Sequence, residues 1–116
     1  MSDWFATDDY QWCKKENDFL YHFIEMTELS EDCFAVCGDH IDLKEFDFDQ
    51  LENQIKPFGY NSLEDVVSTY GVRGGAQIIA ECIFENEHIT SCELQKMFNT
   101  EDEALAFIKK YMEEAA

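Results

Sequence analysis

The chain is poor in positive charge. Eight Lys and Arg stand against 26 Asp and Glu in 116 residues, for a formal charge of −18. The only adjacent basic pairs are Lys14-Lys15 and Lys109-Lys110. Direct nucleic-acid binding needs a basic footprint that displaces counterions, so that function class is excluded. Proline occurs once, at Pro57, and three of the five glycines fall in Gly71-Val72-Arg73-Gly74-Gly75. With no Ser/Gly linker, repeat or low-complexity tract, the expectation is one acidic globular domain over 1–116. No apolar run approaches the ~18–20 residues of a membrane helix, so no membrane partner is expected. The start, Met1-Ser2-Asp3-Trp4-Phe5-Ala6-Thr7-Asp8-Asp9, has neither the basic residues nor the apolar stretch of a signal peptide. The five cysteines are odd in number and show no framework spacing, which predicts free thiols in a reducing cytoplasm.

Aromatics are not lacking: ten Phe, five Tyr and two Trp, in a chain that is 46% hydrophobic. Disordered acidic chains cannot bury enough apolar surface to offset chain entropy. A folded core under a charged skin is therefore expected.

Thr100-Glu101-Asp102-Glu103 is a capping-box pattern, and Ala104, Phe107, Ile108 and Tyr111 follow at helical spacing. This predicts a helix over about 101–114, its early acids and late Lys109-Lys110 matching the helix dipole. A second helix runs from Ser62 to Tyr70, capped by Asn61 or Ser62, with Leu63, Val66, Val67 and Tyr70 on one face and Gly71 as its stop. A third spans about Phe48 to Ile55, with Asp47 as cap, Leu51 and Ile55 facing inward, and Pro57-Phe58-Gly59 as terminator. Residues 76–86 fit a strand face of Ile78, Ala80, Cys82 and Phe84. They also fit a helical stripe of Ile78, Ile79, Cys82 and Ile83 with Glu81 and Glu85 in water. The length favours the helix. Ile89 to Phe98 reads as a strand feeding the last helix. Near the N-terminus, Phe19–Thr27 and Cys33–Cys37 suggest a strand pair joined around Leu29-Ser30-Glu31-Asp32, in competition with a helix over about 9–26. The fold class is α+β, a small antiparallel sheet packed with three to four helices; the alternative is mostly α.

Between Glu25 and Glu52 stand ten acids, Glu25, Glu28, Glu31, Asp32, Asp39, Asp42, Glu45, Asp47, Asp49 and Glu52, against one base, Lys44. Such density is either a solvated face or a surface presenting negative charge to a basic groove. Asp47-Phe48-Asp49 is not a calcium loop, because Leu51, Glu52 and Phe58 stand where another oxygen ligand, Gly and Glu are required. Cys33-x3-Cys37-x2-His40 is the best zinc candidate, with Cys13, Cys82, His88 or Cys92 to complete it. Buried thiols acting as small apolar side chains are the favoured reading, so no metal or other cofactor is assigned. His22 reads as a core-edge histidine. Gly71-x-x-Gly74-Gly75 lacks the lysine of a phosphate loop and reads as a turn between helices. Arg73, the sole arginine, caps the helix closing at Tyr70, pairs with a nearby acid, or orients a partner. No catalytic arrangement is recognisable, so no enzyme activity is expected.

A compact chain of this length is roughly 35 Å across, and 18 charges correspond to roughly 30 Å of duplex DNA. In size, charge and aromatic content, and in stretches such as Ile41-Asp42-Leu43-Lys44-Glu45-Phe46-Asp47-Phe48-Asp49, the chain resembles small acidic anti-defence proteins of phages and mobile elements. These are the DNA-mimicking anti-restriction and anti-CRISPR proteins. The resemblance implies a non-enzymatic inhibitor, acting in the bacterial cytoplasm, that occupies the basic DNA- or PAM-binding groove of a nuclease. The expected partner-binding residues are Glu28, Glu31, Asp32, Asp39, Asp42, Glu45, Asp47, Asp49 and Glu52. Trp4, Tyr10 and Trp12 are candidate aromatic anchors, though burial in the core suits each better. The alternative is an acidic adaptor or regulator of another basic protein; a halophilic domain and a small enzyme rank lower.

Overall fold

The computed structural model describes residues 3–87 and 93–114. In chain order the elements are β1 (Phe5–Asp8), β2 (Gln11–Lys15), β3 (Leu20–Ser30), β4 (Cys33–Asp42), α1 (Phe48–Ile55), α2 (Leu63–Glu87), β5 (Glu93–Phe98) and α3 (Glu101–Glu114). The strands form one antiparallel sheet in the order β1-β2-β3-β4-β5, giving an α+β fold.

The mostly-α alternative, with a helix over 9–26, is overturned. That stretch holds β2 and most of β3. Its periodicity misled because β3 is buried on both faces: Tyr21, Phe23 and Glu25 alternate with Ile24 and Met26, and all five are buried. A run without a wet face carries no period to read. The β1–β2 hairpin pairs Phe5 with Cys13 and Ala6 with Trp12, then shifts register between Ala6 and Asp8. The β3–β4 pair turns where Leu29 to Asp32 predicted, and the Ser30 hydroxyl donates to the Asp32 carboxylate at 3.0 Å. The strand expected over Ile89–Phe98 is β5, beginning at Glu93; its first four positions lie outside the described residues.

The chain forms two compact units, each built from separated stretches. One contains β1, β2, residues 22–39, β5 and α3. In its core Ile24, Met26, Phe34 and Val36 of the sheet meet Ala104 and Ile108 of α3, with Trp4, Trp12, Phe98, Phe107 and Tyr111 around them. Phe98 packs on Phe107 at 5.3 Å between centroids, and Trp4 meets Tyr111 edge-on at 6.1 Å. Aromatic pairs of this geometry add to plain area burial. The Glu103 amide donates to the Thr100 hydroxyl at 3.2 Å, the N-cap that the sequence pattern requires.

The other unit contains residues 16–21 and 40–87, including α1 and α2. Asp47 caps α1 in a reciprocal box: its carboxylate accepts from the Gln50 amide at 2.8 Å, and its own amide donates to the Gln50 side chain at 3.0 Å. Asn86 ties α2 to α1, donating to the Gln54 carbonyl at 2.9 Å and its side-chain oxygen at 2.6 Å. Ser62 caps α2, accepting from the Asp65 amide at 3.2 Å.

α2 is two helices, 63–70 and 72–87, broken where Gly71 adopts φ 79° and ψ 175°. Only glycine occupies that region readily. A Cβ on Gly75 would lie 3.5 Å from Val66 Cγ1 and Val67 Cα, and one on Gly74 would lie 3.2 Å from Tyr70 Cβ. The glycine-rich segment is therefore a corner where the start of the second helix lies close against the first. It is the inter-helix turn read from the sequence, with residues 76–86 helical throughout.

Candidate partner-binding surface

None of the nine predicted partner-binding acids is buried. Glu28, Glu31, Asp32, Glu45, Asp47 and Asp49 are exposed, and Asp39, Asp42 and Glu52 are half-buried. Glu25, which belongs to the same acidic run, is buried at 8% exposure and leaves the surface set. The nine are divided between the units: Glu28, Glu31, Asp32 and Asp39 in the first, Asp42, Glu45, Asp47, Asp49 and Glu52 in the second. The β3–β4 turn positions the first three. The segment from the end of β4 through α1 positions the second group.

Two of these acids cap local structure without any partner. Asp42 accepts from the Lys44 amide at 3.0 Å and caps the 3-10 turn Leu43–Glu45. Asp47 caps α1. Glu45, Asp49 and Glu52 have no such capping role, and their charge is available for other uses. Lys44, the one base in the run, sits over the Phe19 ring at 4.7 Å from its centroid, a cation–π placement.

The aromatic anchors require correction. Trp4 and Trp12 pack against the α3 core and stay half-buried, as their core reading expects. Tyr10 does not: it is exposed, and its hydroxyl hydrogen-bonds Glu101, whose carboxylate holds the phenol pKa above its ordinary value. The aromatic displayed among the acids is Phe48, 77% exposed between Asp47 and Asp49. As the first residue of α1 it precedes the inward stripe of Leu51 and Ile55. No signal in the sequence marked its exposure, because Phe48, Leu51 and Ile55 stand at i, i+3 and i+7, the spacing of one inward face.

The apolar face of the helix 63–70 is only partly covered. Val66 is fully buried and Leu63 half-buried, but Val67 and Tyr70 are exposed. Tyr70 meets Tyr60 edge-on at 6.3 Å, with the two hydroxyls 3.0 Å apart. That hydrogen bond, with burial and the Tyr70 charge behind it, pushes Tyr60 up to about 12. Glu81, expected in water, is half-buried; burial raises its pKa, Glu85 adds to the rise, and a Gln77 hydrogen bond opposes it.

Among the described residues Cys13 and Cys82 are buried and Cys33 and Cys37 half-buried, and none of the four forms a disulfide. Burial first, then Glu81 and Glu85, raise the Cys82 pKa to about 11, which disfavours the thiolate that a metal or nucleophilic role needs. Among the described residues no group of three or more His, Cys, Asp and Glu side chains frames a metal position; Cys92 and His88 lie outside them. His40 is exposed, and His22 is half-buried at the core edge. Arg73 is exposed and makes no ion pair or side-chain hydrogen bond among the described residues, so neither intrachain role foreseen for it is found there. No described helix is long and apolar enough to cross a membrane. No protein-family model matches the chain, and neither a curated protein nor a solved structure matches it.

Proposed function

We propose that the protein is a non-enzymatic inhibitor that mimics DNA and occupies the basic DNA- or PAM-binding groove of a bacterial defence nuclease. The target is a CRISPR effector or a restriction enzyme, met in the host cytoplasm. The observation that carries this reading is that all nine acids of the 28–52 run keep access to solvent in a chain of net charge −18. Carboxylates displayed this way can meet the Lys and Arg that otherwise hold phosphates, and the long-range field makes encounter fast and salt-sensitive. Phe48, projecting between two of the acids, supplies an apolar contact that charge alone does not.

The test is capture from bacterial lysate at low and at moderate salt, with duplex DNA as competitor. The expected catch is a nuclease that DNA displaces and salt releases. A partner with no affinity for nucleic acid would sink the proposal. The matching variant is Asp42→Asn, Glu45→Gln, Asp47→Asn and Asp49→Asn, which removes four charges while Asn keeps both caps. It should bind the nuclease about a hundredfold more weakly or worse, with its circular dichroism unchanged and its stability lowered by no more than about the few tenths of a kcal/mol that Asn costs as a cap.

A further inference from the structure

Residues 66–80 contain no acid, the longest such run in a chain with 26 of them. Within it three apolar side chains stay exposed on the fold. On the helix 63–70, Glu64, Val67 and Tyr70 recur at i, i+3 and i+6 and form one ridge. Val67 is 38% exposed and Tyr70 45%. Beyond the Gly71 corner, Val72 is 76% exposed. Tyr60 extends the patch through its contact with Tyr70. The sequence writes an apolar face for this helix wider than its own unit uses.

Charge decides what can cover it. A particle of charge −18 repels its own kind wherever carboxylates face carboxylates, and a stretch free of acids is where two copies meet at least cost. Arg73 follows directly, exposed and unpaired among the described residues, while Glu64 stands exposed at the other end of the ridge. In a two-fold contact residue i meets j and j meets i. A ridge with an acid at one end, a base at the other and apolar side chains between is self-complementary under that operation.

We infer that the ridge of Glu64, Val67 and Tyr70, with Val72 and Arg73, is a self-association surface that docks a second copy of this chain. Val67, Tyr70 and Val72 form its dry centre, and Arg73 of each copy meets Glu64 of the other. The inference stands independently of the acidic run and its proposed partner.

Sedimentation equilibrium of the full chain, over micromolar to near-millimolar concentration, provides the test. The mass should rise from 13.6 kDa towards twice that value. Association should tighten as salt rises from low to physiological, because screening relieves the like-charge repulsion. This is the opposite salt dependence to that of a basic partner. Val72→Glu should weaken association roughly tenfold or more without changing the melting curve. Arg73→Glu should weaken it too, and adding Glu64→Arg should restore it. A chain that stays monomeric throughout overturns the inference, as does a dimer indifferent to Val72→Glu. A failed charge swap overturns the Arg73–Glu64 pairing. A monomer in which Val72→Glu instead abolishes capture of a different protein assigns the face to that protein and likewise overturns the second copy.

Discussion

Two neighbouring stretches of equal length use the same fold in opposite ways. Residues 25–52 hold ten acids and one base, whereas residues 53–80 hold two acids and two bases. The first stretch leaves nine of its ten acids at least partly exposed and one aromatic, Phe48, bare. The second leaves Val67, Tyr70, Val72 and Arg73 exposed. Both contain helices, caps and buried aliphatics, so the difference belongs to the surface and not to the core. An acidic protein that needed charge only for solubility would gain by spreading it. Here the charge is concentrated in one stretch and the next is neutral, and the two proposed surfaces rest on that division.

The contrast can be broken most severely at the corner of the neutral stretch. Gly71→Ala places a Cβ on a φ of 79°, which should cost about 1–3 kcal/mol and lower the denaturant midpoint accordingly. No neighbouring atom within 4 Å is involved, so the loss would be backbone strain alone. Gly75→Ala makes the useful opposite: its Cβ would meet ordinary contacts at 3.5 Å, and its helical backbone should gain up to about 1 kcal/mol. Equal effects at the two positions would mean that the corner is not built as described.

The acidic stretch is tested at Asp47. Asp47→Ala should lose about 1 kcal/mol with the cap, and Asp47→Asn only a few tenths, by thermal or urea unfolding. If Asn is as costly as Ala, the charge at the helix start matters more than the hydrogen bond to the Gln50 amide. The smallest effect is expected at Glu81, the first acid after the neutral stretch. Its folded pKa is raised, chiefly by burial. Its contribution to stability is therefore complete below the unfolded glutamate value and lost as pH rises through the raised one. Glu81→Gln should accordingly be more stable than the native chain at pH 7 and equal to it in acid. A native advantage at pH 7 would contradict the assigned direction.

What could be read in advance follows a physical division. Capping patterns are local, and Thr100, Asp47 and Ser62 all start helices where the residues nearby demand it. Gly71 marked the break for the same reason. Burial is not local. The apolar periodicity of 63–70 states which residues share a face, but only the fold decides that Val66 is covered and Val67 is not. Tyr21 and Phe23 to Met26 are buried and His22 is half-buried, so no exposed residue remains to set a period. The acids of the candidate surface were legible one by one; their division between two units was not, because the strands β3 and β4 run from one unit into the other.

β1, one of the two edge strands of the sheet, carries a consequence for crowding. A sheet that ends in free amides and carbonyls invites a stranger's strand, and chains that offer one tend to polymerise. Here the offer is four residues long, its register slips between Ala6 and Asp8, and Asp8 and Asp9 stand at its exit. A visiting strand would find too few aligned groups to hold and two carboxylates to pass. At this edge the register shift leaves a visiting strand fewer aligned partners than an unbroken rim would offer.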